Sequence, residues 1–141
     1  MTPTQLLVLA CATLALHTLT VGIRMFYMRV TEMRSNKISP QKVALSVARA
    51  TQLNDSRASD NYNHLFELPI LFYVLCVLAI ATQHIPTWLP YVACLFVISR
   101  IIHSVIQCTY NKVMHRFTVF LIGFLLIAVM WFGFLISFIT T

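Results

Sequence analysis

The chain has 141 residues, 59% of them hydrophobic and 10% charged, with a mean hydropathy of +0.80. Soluble domains carry roughly 25% charged residues and a spanning helix takes ~20 residues, so the composition excludes a water-solvated globule, and four spans leave little length for a soluble domain. The formal net charge of +6 comes without basic residues interleaved among aromatics, which argues against a nucleic-acid surface.

Four apolar runs divide the sequence, at about 4–23, 65–82, 85–106 and 117–139. No basic stretch precedes the first run, and Arg24 and Arg29 follow it, so it reads as a retained membrane helix over 4–30 and not as a cleaved leader. Within it His17 is expected to bond a neighbouring helix, and Gly22 permits a close approach near one end. A polar connection spans 31–59. Ser39 and Pro40 suit the N-cap and first position of a short helix there. Val43, Val47 and Ala50 would give that helix an apolar stripe for the membrane surface.

Ser56 or Ser59 is expected to cap a second span over 60–83. The tight turn His84-Ile85-Pro86 makes the second and third spans antiparallel neighbours. Pro86 and Pro90 fit the first turns of the third span, 86–110, because donors missing there cost little. Trp88 and Tyr91 fit an interfacial aromatic belt. A short connection leads to the fourth span, 115–139, whose Gly123 and Gly133 are too far apart for a small-x-x-x-small motif. The predicted fold class is an all-α integral membrane bundle of four helices, antiparallel and up-down.

All ten Lys and Arg residues fall in or near the first and third connections. Basic loops resist translocation, so those two connections are expected in the cytoplasm and both termini outside, which suits a bacterial inner membrane. Cys11, Cys76, Cys94 and Cys108 stand singly, with no C-x-x-C, and read as small buried side chains.

Ionisable residues inside spans are costly and usually functional. Here Glu67, Arg100, His103, Arg116 and Arg24 converge at one depth, near the expected cytoplasmic side. Asp60, Asn63 and Glu67 are spaced as one helical face. Arg100, His103 and Gln107 repeat that spacing, with Tyr110 or Asn111 extending it. Pro69 frees the carbonyl of Leu65 and is expected to kink the second span beside the cluster. A structural reading stands beside the functional one: Glu67 and Arg100 as a plain ion pair, and the outer arginines as snorkelling anchors.

The segment Asn63-His64-Leu65-Phe66-Glu67-Leu68-Pro69, followed by Arg100-x-x-His103 and then Arg116, resembles the MAPEG superfamily, membrane-associated proteins in eicosanoid and glutathione metabolism. The resemblance covers nearly the whole chain. It implies a homotrimer in membrane lipid, with glutathione bound between subunits near the cytosolic face. It implies that Glu67 holds the amino end of glutathione, that His64 or Asn63 stands at the family asparagine, and that Arg100 and His103 are the paired residues of the third helix. Arg116 would stabilise the glutathione thiolate, as a cation beside a thiol does. The chain departs from the pattern at Asp60 and Asn61, where many members carry an arginine, at Gln107 in place of a tyrosine, and at Phe117 in place of a hydroxyl residue.

The function expected from this resemblance is a glutathione transferase or peroxidase type of reaction on lipophilic small-molecule electrophiles, with Arg116 catalytic, Glu67, Arg100 and His103 holding the peptide, and Asn63, His64 and Gln107 as further contacts. Two rivals remain. One is a non-catalytic relative binding a lipid or small anion in the same seam. The other is a proton-coupled transporter using Glu67 and His103, which the position of Glu67 near one face disfavours.

Overall fold

The first helix starts where the sequence supplies its cap. In the computed structural model, which describes residues 1–43, 53 and 56–140, Thr2 and Gln5 form a reciprocal capping box and Pro3 opens α1, Pro3–Ser35. The Thr2 Oγ1 accepts the Gln5 N–H at 3.2 Å, and Gln5 Oε1 accepts the Thr2 N–H at 2.9 Å. At ~1.5 Å per residue α1 is far longer than the ~30 Å of hydrocarbon requires. It continues past the expected residue 30 because nothing interrupts it before Asn36 and Lys37, whose φ is 52°.

The expected short helix begins at Pro40 as a 3-10 turn, Pro40–Val43, in which Lys42 donates to the Ser39 carbonyl at 2.9 Å. Val47 and Ala50 of its predicted stripe lie outside the described residues.

The second span is two helices, α2 (Arg57–His64) and α3 (Leu68–Ala81). Pro69, at the second position of α3, has no N–H to offer the Leu65 carbonyl. The chain instead tightens, with Phe66 donating to Asn63 O at 2.9 Å and Glu67 to His64 O at 3.3 Å. Ser56 precedes α2 without capping it; its hydroxyl donates to Asp60 Oδ2 at 2.7 Å. Ser59 lies inside α2, where Arg29 bonds its hydroxyl.

Gln83, with φ 56°, turns the chain after α3. α4 (Leu89–Cys108) then starts later than expected: Pro86 stays in the turn, accepting the Leu89 N–H, and Pro90 takes the early helical position. α5 spans Val113–Thr140. These helices give four segments long and apolar enough to cross a membrane, with no strand among the described residues.

α4 is the hub, packed on α1, α2 and α5, while α3 lies against α5 and α1. Leu7, Leu14, Phe72, Leu75, Leu89, Phe96 and Met130 fill the middle, and Phe72 stacks on Phe96 at 4.9 Å. Lipid is as apolar as leucine, so van der Waals fit and interhelical hydrogen bonds hold such a bundle. Two glycines serve that fit. A Cβ on Gly22 would lie 3.0 Å from the Tyr62 ring, and one on Gly133 would lie 2.7 Å from the Trp88 ring.

The two ends differ in charge. At the basic end, Arg24 donates to the Cys108 carbonyl at 2.8 Å and Arg57 to the Thr109 carbonyl at 2.7 Å, two cations on the carbonyl terminus of α4. At the other end, His84 bonds Ser137 at 2.9 Å between Phe134 and Phe138. Cys11, read as single in the sequence, packs against the core cluster that holds Cys76, and both are free thiols.

Candidate functional site

The polar face of α4 is buried almost completely. Ser99, Arg100, His103, Ser104 and Gln107 all point into the bundle. Each must find its partners inside, because lipid offers none.

Arg100 is 3% exposed. Its Nη2 donates to the Val119 carbonyl at 3.0 Å and its Nε to Ser99 Oγ at 3.4 Å. The guanidinium lies 5.5 Å from the Phe96 ring centroid and 5.7 Å from that of Phe120, distances at which ring faces attract a cation. Gly123 makes room for it: a Cβ there would fall 2.1 Å from Nη2.

His103 is 4% exposed and donates from Nε2 to Gln107 Oε1 at 3.1 Å, one turn along α4. Its Nδ1 and the Gln107 amide nitrogen are buried with no hydrogen-bond partner among the described residues. Beside them Asn61 of α2 accepts from Ser104 at 3.1 Å and donates to the Cys108 sulfur at 3.4 Å.

Glu67 sits in the turn between α2 and α3 with a largely exposed carboxylate, which accepts from His64 Nδ1 at 2.9 Å. The His64 ring in turn meets the His103 ring edge-on at 6.0 Å. Arg116, on the first turns of α5, donates from Nη1 to Asn111 Oδ1 at 3.0 Å.

A cavity of about 230 Å³ joins these parts, lined by His64, Glu67, His103, Val113, Arg116, Phe117 and Phe120. Of the residues singled out in the sequence, His64, Glu67, His103 and Arg116 share its wall. Gln107 stands behind His103 as its partner. Arg100 lies a layer deeper, reaching the cavity only through the Phe120 ring. Glu67 pairs with His64 and not with Arg100. Asn63 is exposed and is not among the lining residues.

The expected face of Asp60, Asn63 and Glu67 requires an unbroken helix. The break after His64 takes Glu67 out of phase, and α2 turns Ala58 and Asn61 inward instead. Asn61, Ser104 and Gly123 are thus the participants that spacing alone did not single out, whereas Asn111 extends the predicted face of α4. The signal for Ser104 was present: it stands four residues before Cys108 on α4, and both face Asn61.

Chemically, the wall offers an imidazole–carboxylate pair at the rim, a guanidinium on the first turns of α5, where the helix dipole is positive, and apolar rings between them. That set suits a ligand with both charged and apolar parts. Neither the curated proteins nor the solved structures yield a match to this chain. A family model does, the MAPEG family, over residues 7–136. That span holds the apolar core of every helix and the whole cavity wall, and so the chain belongs to the MAPEG family, as an integral multi-pass membrane protein of the group that serves glutathione and eicosanoid metabolism.

Proposed function

We propose that the cavity binds glutathione and that the protein transfers it to lipophilic electrophiles, or reduces their hydroperoxides with it, from within the membrane. The observation that carries this reading is the common wall of Glu67, His64, His103 and Arg116 at the basic end of the bundle. The residues suit a small acidic peptide. Glu67 can take an ammonium group, Arg116 an anion, and the partnerless atoms of His103 and Gln107 are further polar capacity behind the wall. Glutathione, when bound, supplies the thiol whose sulfur forms the new bond while the leaving group takes the electron pair. Arg116, with the α5 dipole behind it, holds negative charge where that thiol loses its proton. Phe117 and Phe120 keep water away and face the apolar partner.

In the same reading the protein is a homotrimer, with Glu67, at the exposed rim, near a neighbouring copy. The basic end faces the cytoplasm of a bacterial inner membrane and both termini face outward.

Purified protein assayed with reduced glutathione and a halogenated aromatic electrophile is expected to turn over. Arg116→Ala is expected to lose about a hundredfold or more in kcat, the scale of losing one donor to developing charge. No glutathione-dependent turnover in the parent would remove the proposal. One observation favours a second reading: Glu67 is already engaged by His64. A non-catalytic relative holding a lipid or small anion would then show ligand-dependent thermal stabilisation without turnover.

A further inference from the structure

Arg116 is held by its neighbour across the α4–α5 turn. Asn111 has φ 47°, the left-handed region that asparagine tolerates better than most residues. Its N–H reaches back to the Ile106 carbonyl at 2.8 Å, closing the end of α4. Its side-chain Oδ1 accepts Arg116 Nη1 at 3.0 Å. The next residue, Lys112, accepts the Arg116 N–H at 3.1 Å, so the backbone of Arg116 is anchored to the same turn. One residue therefore does two separable things. Its backbone makes the turn, and its amide oxygen fixes one edge of a guanidinium that lines the cavity.

We infer that Asn111 is a positioning residue for Arg116: its amide oxygen holds the guanidinium against the cavity wall, so that the remaining N–H groups face the ligand. The inference deepens the glutathione reading above and rests on it for its catalytic consequence, but the anchoring itself does not depend on which ligand binds. A long flexible side chain loses rotamer freedom when fixed, and a neutral acceptor fixes it without cancelling its charge. A glycine at the site satisfies the backbone and offers no acceptor. An aspartate also tolerates the left-handed region and keeps the oxygen.

The test compares Asn111→Gly and Asn111→Asp with the parent, all as full-length protein in detergent. The first readout is the modification rate of Arg116 by a dicarbonyl reagent, followed by peptide mass spectrometry, without glutathione. The expected result is a several-fold faster modification in Asn111→Gly and a parent-like or slower rate in Asn111→Asp. If the two variants behave alike, Asn111 is a turn residue only and the inference is overturned. The second readout is the ultraviolet absorbance of bound thiolate against pH, with kcat and KM for glutathione. Asn111→Gly is expected to shift the thiolate titration to higher pH and to lower kcat about tenfold with little change in KM. A parent without thiolate absorbance sinks the glutathione reading while the modification rates still decide the anchoring. A normal parent with an unmoved titration in Asn111→Gly sinks the catalytic part of the inference alone.

Discussion

Gly123 and Arg100 occupy each other's space, and the pair shows how a charge is kept inside an apolar bundle. The guanidinium uses one main-chain carbonyl, one hydroxyl and two ring faces, and the missing side chain at Gly123 is what lets it reach them. Charged groups at membrane depth cost roughly 2.5–3.5 kcal/mol on insertion scales, so its removal from these partners has a measurable consequence. Gly123→Ala is expected to destabilise the protein by about 1–3 kcal/mol, the cost of overpacking a filled site. Gly22→Ala is expected to cost less, because its new methyl meets only the edge of a half-buried tyrosine ring. Unfolding by denaturing detergent in mixed micelles reads both. In an Arg100→Ala background Gly123→Ala is expected to be close to neutral, and persistence of the full penalty there would show that the two residues are not coupled.

At the scale of elements, the break between α2 and α3 decides which side chains form the site. Restoring a donor with Pro69→Ala lets the Leu65 carbonyl find a helical partner, which carries Glu67 out of the turn. The expected outcome is unchanged or higher thermal stability without ligand, together with a smaller stabilisation by glutathione. A glutathione shift equal to the parent's would mean that the position of Glu67 does not depend on the break. This element also marks the limit of what was legible in the sequence. The existence of the helices could be read from the apolar runs, and the convergence of Glu67, His103 and Arg116 from their depth. The inward face of α2 could not, because the i, i+3, i+7 spacing of Asp60, Asn63 and Glu67 does not hold across the interruption that Pro69 signals. Arg100 lies on the polar face of α4 that the spacing predicts, but behind the cavity wall and not in it. Its depth depends on Gly123, fully twenty-three residues later in the chain, and no local pattern links the two.

For the molecule as a whole, the basic residues bind the bundle together at one end. Arg24 and Arg57 sit on the carbonyl terminus of α4, and Arg116 follows on the next helix, while the turn after α3, the start of α1 and the last turns of α5 gather at the opposite end around His84, Tyr91 and Trp88. Orientation is therefore expected to follow this polarity. Alkaline phosphatase fused to the C-terminus should be active in a bacterial host and a fluorescent protein fused there should be dark; the opposite pattern would invert the proposed topology. The helices also differ in how far the chain itself encloses them: 56% of the apolar window of α4 is buried, against 22% for α1 and for α5. A saturation library should thus divide along that contrast. On the exposed faces of α1 and α5 one greasy side chain should substitute freely for another, whereas Ser99, Arg100, His103, Ser104 and Gln107 should tolerate almost nothing, a narrow stripe of intolerance running through a permissive coat.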